Sequence, residues 1–275
     1  MSKKLKPTKG HEIGKIQDLR QLLDRAAEKY GDKIAFEYKK DATDKNSEII
    51  VKTFNQFKKD AKKLSTIFLN MGLEGKRVAV IGNNSYSWCV TYMAVVSGDM
   101  VIVPLDKALP DTEIKSLIKR SKADAVVFDK KYVDVFEKIR KENKSNLQYY
   151  ICMDDIESAN VIKYSELMQK GEELVNNEDN RYDSIKIDNK KMSIMLFTSG
   201  TTAAAKAVML SQYNVCSNIN AMPYFVSMYD TDVLLSFLPI HHTFECTITF
   251  LYGCLYCGAT VAFCDGLRYV VDNLK

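Results

Sequence analysis

Hydrophobic residues follow two spacings in the first part of this chain. Apolar side chains recur at helical spacing over residues 16–30, and they alternate with polar ones over 34–38, which predicts a helix followed by a strand. A second strand is expected over 49–52. The pair Thr53 and Gln56 then has the spacing of a capping box, so the next helix is predicted to begin there.

A repeated order of strands and helices comes next. Buried strands are predicted over 77–81, 100–103, 125–128, 148–152 and 193–197, with helices over 86–97, from 111 and over 131–142. Strands that alternate with helices favour right-handed parallel crossovers. The pattern therefore predicts an α/β fold with doubly wound, mostly parallel sheets flanked by helices. The polar stretch 154–190 is expected to be a surface excursion, and residues 1–15 are expected to be flexible.

Composition and charge narrow the classes of function. The apolar share of 46% and the charged share of 27% are ordinary for a soluble globular protein. A net charge of +4 does not indicate nucleic acid as the main partner. The uncharged stretch 246–264 is interpreted as a buried helix followed by a buried strand, so no transmembrane segment is predicted. We expect a cytoplasmic protein and leave peripheral membrane contact open.

Cysteine spacing provides one candidate for metal or redox chemistry. Cys254 and Cys257 have the C-x-x-C spacing, within a chain that has seven cysteines. No second pair lies near them in the sequence, and a tetrahedral metal site needs four ligands. We interpret both as buried thiols in a reducing compartment and predict no metal-ligating residue.

Hydroxyl groups, one glycine and one lysine are concentrated just after the strand predicted over 193–197. Gly200 allows the backbone to turn so that N–H groups face an anion, and Lys206 adds a mobile positive charge. The order differs from that of the G-x-x-x-x-G-K-[ST] phosphate loop. We predict a polyphosphate site, with a turn that binds no ligand as the alternative. Its predicted binding residues are Thr198, Ser199, Gly200, Thr201, Thr202 and Lys206.

The same stretch resembles the signature [ST]-S-G-[ST]-T-G-x-P-K-G of the adenylate-forming, or AMP-binding, superfamily. The six predicted residues match it position for position, whereas Ala203 and Ala207 replace glycines and Ala205 replaces proline. The resemblance implies that this loop holds the β- and γ-phosphates of ATP while a carboxylate attacks the α-phosphate. A loop that needs positive φ would lose about 1–2 kcal/mol at each alanine, so weaker ATP binding is the alternative.

A second resemblance concerns the segment L-P-I-H-H-T-F-E at residues 238–245. It is similar to the L-P-L-x-H-x-F-E segment of long-chain acyl-CoA synthetases, which implies a place at the acyl pocket near the adenylate. His242 matches the histidine of that segment and is predicted to position the acid or its adenylate; a packed structural histidine is the alternative. The likeness extends in order over about residues 17–275. Trp88, within one matching turn, is predicted to be a core residue.

The resemblance implies an AMP-forming acid–thiol ligase of the fatty-acid–CoA ligase type that uses ATP, Mg²⁺ and coenzyme A. The predicted acid is a medium- or long-chain fatty acid. Two alternatives stay open: a non-catalytic nucleotide- or acyl-binding module that keeps the fold, and an adenylation domain directed to amino acids or to an acyl carrier protein.

Enzymes of this superfamily are considerably longer than 275 residues. We therefore expect residues 1–275 to be an incomplete N-terminal AMP-binding domain, without the C-terminal domain that supplies a catalytic lysine. The isolated chain is accordingly predicted to be inactive.

Overall fold

The computed structural model describes residues 14–44, 46–198 and 205–274. It divides into two compact units: the first combines the segment that ends at Lys58 with the one that begins at Gln212, and the second is the continuous stretch Lys59–Ser211. The strands are β1 Ile34–Lys39, β2 Ile49–Thr53, β3 Arg77–Ile81, β4 Val101–Pro104, β5 Ala125–Phe128, β6 Tyr149–Cys152, β7 Ile162–Lys163, β8 Met192–Thr198, β9 Lys206–Ser211, β10 Val233–Ser236 and β11 Thr260–Phe263. The α-helices are α1 Leu19–Tyr30, α2 Phe54–Asn70, α3 Tyr86–Ser97, α4 Asp111–Ser121, α5 Val133–Glu142, α6 Tyr164–Asn176, α7 Arg181–Ser184, α8 Gln212–Ala221, α9 Thr243–Glu245 and α10 Val270–Asn273.

A seven-stranded sheet organises the second unit. Its strand order is β7-β6-β5-β3-β4-β8-β9, and every neighbouring pair is parallel except β8 and β9, which are antiparallel. Helices alternate with the parallel strands along the chain, as the hydrophobic pattern predicts. The predicted α/β class with mostly parallel sheets is confirmed.

Both faces of this sheet are covered by helices. On one face, alternate residues of β3, β4 and β5 share a buried cluster with apolar residues of α4 and α5. Helix α3 is buried almost all round and packs against β3 and β4. Its N-terminus is capped by Ser85, whose hydroxyl accepts from the N–H of Trp88 at 3.3 Å. The carboxyl ends of six parallel strands therefore meet at a single edge of a rigid, doubly covered sheet.

The first unit is built on a four-stranded sheet in the order β10-β11-β1-β2. The apolar stretch predicted as a buried helix is an eleven-residue π-helix, Cys246–Tyr256, followed by β11. Phe36 on β1 contacts Phe57, Phe250 and Phe263, with ring centroids 4.8, 6.1 and 5.9 Å away. Gly258 links the π-helix to β11 at a φ of 84°, and a Cβ there would lie 2.4 Å from the Tyr30 ring.

Several predicted boundaries are confirmed. The strands predicted over 77–81 and 125–128 occupy those residues, and the helix predicted over 86–97 is α3. The capping box forms as expected, because the N–H of Gln56 donates to Thr53 Oγ1 at 3.2 Å and the N–H of Thr53 donates to Gln56 Oε1 at 2.9 Å. Within the described residues, no helix combines the length and the hydropathy needed to cross a bilayer.

The polar stretch 154–190 holds more structure than a surface excursion. It contains the edge strand β7 and the thirteen-residue helix α6. Three buried residues at helical spacing, Tyr164, Leu167 and Gly171, form the inner face of α6. A Cβ on Gly171 would lie 2.3 Å from the carbonyl oxygen of Lys63 on α2, so α6 packs closely against that backbone. A stripe of only three buried residues is difficult to recognise in a sequence whose surrounding residues are mostly polar or charged.

Candidate functional site

Two of the predicted phosphate-binding residues face each other at the end of a hairpin. Thr198 is the last residue of β8, Lys206 is the first of β9, and the two are paired across the strands. The hydroxyl of Thr198 lies 3.5 Å from the carbonyl oxygen of Lys206, and both residues are exposed. The other four, Ser199, Gly200, Thr201 and Thr202, lie outside the described residues. The hairpin thus places one hydroxyl and one ammonium on either side of the sequence that carries the remaining candidates.

The course of the chain after the loop differs from the prediction in one respect. The sequence predicts a strand that leads through a turn to the helix after Ser211, whereas residues Lys206–Ser211 form the antiparallel strand β9 first. This edge strand exposes Val208 and Met209, so its apolar residues lack the alternation that marks a half-buried strand. Because β8 is parallel to β4, Thr198 lies at the carboxyl edge of the sheet, where open α/β sheets bind ligands.

Two of the three alanines in the signature lie within the described residues. Among the described residues, positive φ occurs at four non-glycine residues, Asp99, Lys122, Asn143 and Glu178, and Ala207, which replaces a signature glycine, is not one of them. The strain expected for alanine in a left-handed conformation therefore does not arise at residue 207. Ala203 lies outside the described part of the chain.

Arg120 is a cation at this hairpin that the sequence analysis did not single out. It lies in the last turn of α4, and its side chain reaches Phe197 in β8 and Ala205, the residue just before β9. One terminal nitrogen, Nη2, donates to the carbonyl oxygen of Ala205, and the guanidinium carbon is 5.5 Å from the centroid of the Phe197 ring. These contacts join residues about eighty positions apart, so no local pattern indicates them.

A polar cluster follows β3, β4 and β5 at the same edge of the sheet. The N–H of Asn83 donates to Asp129 Oδ2 at 2.7 Å, and Lys107 Nζ donates to Asn83 Oδ1 at 3.1 Å. Gly82 permits this approach, because a Cβ there would lie 2.5 Å from Asp129 Oδ1. No motif in the sequence marks these residues, although their position directly after buried strands is a usable signal.

Burial raises the pKa of Asp129 to about 6, above its ordinary 3.8. The Asn83 N–H and the charges of Lys107 and Lys131 oppose this rise, whereas Asp154 adds to it. A carboxyl group whose pKa is raised by folding stabilises the fold fully below the unfolded value, near pH 4. That contribution is lost as the pH rises through 6, and its upper limit is about 3 kcal/mol.

Asp129→Asn is therefore expected to flatten the decline in stability between pH 4 and pH 7. The amide oxygen still accepts from Asn83, while the side chain stays neutral at every pH. Urea unfolding at several pH values, followed by circular dichroism, measures the effect. The exposed Asp134→Asn is the control. Parallel pH profiles for wild type and Asp129→Asn would contradict the raised pKa.

The segment with the predicted histidine lies in the first unit, whereas the hairpin lies in the second. His242 is exposed and caps the short helix α9, because its Nδ1 accepts from the N–H of Phe244 at 3.3 Å. Nδ1 is the acceptor in this hydrogen bond, which leaves Nε2 as the ring nitrogen that can donate. The cap therefore orients the imidazole ring of His242 within the segment.

Glu245 in the same segment is buried, with 3% of its surface exposed. Burial raises the pKa of this carboxyl group, and hydrogen bonds from two hydroxyls oppose the rise. Ser236, at the end of β10, donates to Oε1 at 2.7 Å, and Thr249 in the π-helix donates to Oε2 at 3.0 Å. Glu245 therefore ties the strand to the helix on the two sides of the segment that contains His242.

The two cysteines at C-x-x-C spacing are buried. Burial raises the pKa of the Cys257 thiol to about 12 and shifts that of Cys254 upward as well. Raised pKa values keep both thiols protonated and weakly reactive. No group of three or more His, Cys, Asp or Glu side chains capable of holding a metal occurs in the part of the chain that the structure describes.

Comparison with known proteins adds independent information. Long-chain-fatty-acid–CoA ligase 5 of Mus musculus is 29% identical over 248 residues, which cover 81% of this chain and 34% of the ligase. A long-chain-fatty-acid–CoA ligase of Archaeoglobus fulgidus has the same fold, with a TM-score of 0.75 and 20% identity over 95% of this chain and 49% of that one. An anthranilate–CoA ligase solved with anthranoyl-AMP has a TM-score of 0.79 and 14% identity over 94% of this chain and 46% of that one.

The chain spans about a third of the length of the mouse ligase. The family pattern described as AMP-binding enzyme matches residues 23–273, which is nearly the whole chain. That match includes the hairpin with Thr198 and Lys206 as well as the segment with His242 and Glu245. This chain belongs to the AMP-binding enzyme family.

Proposed function

We propose that this chain carries the ATP-phosphate-binding part of an AMP-forming acid–thiol ligase. The observation that carries the proposal is the hairpin, in which exposed Thr198 and Lys206 flank the hydroxyl-rich loop at the carboxyl edge of a parallel sheet. Hydroxyls donate to phosphate oxygens, and an ammonium on a flexible stem follows their charge. We assign Ser199, Gly200, Thr201 and Thr202 to the same site on their match to the family signature.

The reaction assigned to the longer protein has two steps. A substrate carboxylate attacks the α-phosphorus of ATP, and pyrophosphate leaves with its pair of electrons. The thiolate of coenzyme A then attacks the carbonyl carbon of the acyl-AMP, and AMP leaves. Thr198 and Lys206 would hold the β- and γ-phosphates and thereby favour the departure of pyrophosphate. Mg²⁺ would neutralise phosphate charge, and an ion bound by phosphate oxygens does not need a carboxylate cluster on this chain.

A medium- or long-chain fatty acid is the acid that we propose. The names of the mouse and archaeal relatives support this choice, as does the L-P-I-H-H-T-F-E segment. His242 would donate from Nε2 to the carboxylate or to the acyl adenylate. We also propose a cytoplasmic protein, because no disulfide bond links any of the seven cysteines.

We assign ATP binding, but not the complete reaction, to these 275 residues. The chain spans only about a third of the length of the mouse ligase, which supports this division. A calorimetric titration with ATP and Mg²⁺ tests the first part, and an assay for pyrophosphate and acyl-AMP with medium- and long-chain fatty acids tests the second. We expect binding and no product. Absence of ATP binding would contradict the proposed site, whereas acyl-AMP formation would contradict the division.

The three alanines motivate a second candidate, a module that binds nucleotide without catalysis. In the full-length protein that contains this chain, ATP binding without fatty-acid-dependent pyrophosphate release would favour the module. Release that depends on an amino acid instead would favour the adenylation domain directed to amino acids.

A further inference from the structure

Arg120 contacts Phe197 and Ala205. These residues immediately precede Thr198 and Lys206 of the proposed phosphate site. Phe197 comes directly before Thr198 and lies under the guanidinium group at 5.5 Å, measured to the ring centroid. Ala205 comes directly before Lys206, and its carbonyl oxygen accepts from Arg120 Nη2. One side chain therefore joins the end of β8 to the beginning of β9, at the position where the two strands separate into the loop.

The properties of the guanidinium suit this task. It is planar and always charged, so it stacks on an aromatic ring and donates in its plane at the same time. A cation–π contact and a hydrogen bond from a charged donor both stabilise the arrangement of the groups that they join. Both residues that Arg120 contacts are themselves held in place, because Phe197 and Ala205 pack against the buried cluster formed by the sheet with α4 and α5.

We propose that Arg120 is a positioning residue for the phosphate-binding hairpin. By holding Phe197 and Ala205, it fixes the separation of Thr198 and Lys206 before ATP arrives, which removes an ordering cost from binding. The inference rests on the proposed function, in that phosphate is the ligand for which the hairpin is ordered. It assigns Arg120 no contact with the phosphates.

Arg120→Ala tests the proposal in the 275-residue chain. We expect about tenfold weaker ATP binding, since about 1.4 kcal/mol of lost order corresponds to that factor. Hydrogen exchange without nucleotide is expected to become faster in the peptides that contain residues 197–206. Lys119→Ala removes the same charge from the preceding exposed position of α4 and is expected to change ATP binding less than about twofold, because exposed charges are screened.

Ala205→Pro provides a rescue that a direct phosphate contact would not show. Proline restricts the backbone of residue 205 covalently, so the double variant Arg120→Ala/Ala205→Pro is expected to recover ATP binding to within about threefold of wild type. Ala205→Pro alone is expected to bind like wild type, because that residue is already held.

The outcomes separate positioning from other roles. Unchanged binding and exchange in Arg120→Ala would overturn the proposal. So would a double variant that stays weak while Arg120→Lys binds normally, because a charge on the phosphates would then be the explanation. If wild type itself binds no ATP, the proposed function fails, and the exchange measurement alone decides whether Arg120 orders the hairpin.

Discussion

Lys206→Ala is expected to weaken ATP binding to this chain by between about tenfold and about a hundredfold. A charge-assisted hydrogen bond to a phosphate is worth about 1.5–3 kcal/mol, and each 1.4 kcal/mol corresponds to about a tenfold change in Kd. Lys206 is exposed at the first position of β9, so its truncation is expected to leave the melting temperature unchanged. Calorimetric titration with ATP, and separately with inorganic triphosphate, measures the change.

Lys190→Ala is the matched control, since Lys190 is another exposed lysine of the same unit. Its loss is expected to change Kd less than about twofold, because an exposed charge acts weakly beyond the Debye length of about 8 Å at physiological salt. Equal loss of affinity for ATP and triphosphate in Lys206→Ala would place the lysine on the phosphates. An unchanged Kd would remove Lys206 from the proposed site.

Local chemistry explains why much of the fold is predictable from the sequence. The helix α2 begins where a capping box can satisfy its first N–H groups, and the buried strands β3 and β5 are continuous apolar runs of the expected length. The buried stretch 246–264 also follows its prediction as a helix and a strand. Hydrogen bonding over i+5 in that helix was not predictable, because an apolar run of eleven residues has no period that separates a π-helix from an α-helix.

The parts of the site that escaped prediction depend on contacts between distant residues. Strand β9 is an edge strand with exposed apolar residues, so pairing with β8 defines it and its own pattern does not. The contact of Arg120 with Ala205 and that of Asn83 with Asp129 likewise join residues that the chain order keeps apart. The signature, by contrast, is recognisable from the sequence because its glycine and hydroxyls are adjacent, and two of its residues, Thr198 and Lys206, lie at the end of β8 and the start of β9.

The alanines of the signature illustrate the value of backbone geometry. From the sequence alone, an alanine that replaces a glycine would cost about 1–2 kcal/mol if the backbone there had the left-handed conformation. Residue 207 is the second position of an antiparallel strand, paired with Phe197, and has no positive φ. A glycine is therefore not required at residue 207 for conformational reasons.

Trp88→Ala is expected to be the most destabilising of the substitutions considered, with a loss of about 3–5 kcal/mol in the free energy of unfolding. Trp88 is fully buried in α3 and stacks on Tyr92, with ring centroids 5.6 Å apart. Removal of the indole leaves a cavity in the closely packed interior around α3. The surrounding side chains are expected to fill that cavity only in part. Urea unfolding followed by far-ultraviolet circular dichroism measures the loss, because Trp88 is the single tryptophan and its fluorescence disappears with it.

Trp88→Phe separates packing from polarity in the same pocket. Phenylalanine keeps an aromatic ring beside Tyr92 and removes the indole N–H, for which no hydrogen-bond partner exists among the described residues. An unpaired buried donor costs about 1–3 kcal/mol, so its removal offsets part of the lost volume, and the loss is expected to be less than half that of Trp88→Ala. If Trp88 is a core residue, Trp88→Ala is expected to lose more unfolding free energy than Trp88→Phe both with and without ATP. Stability that is unchanged in both variants while ATP binding falls would instead make Trp88 part of the site.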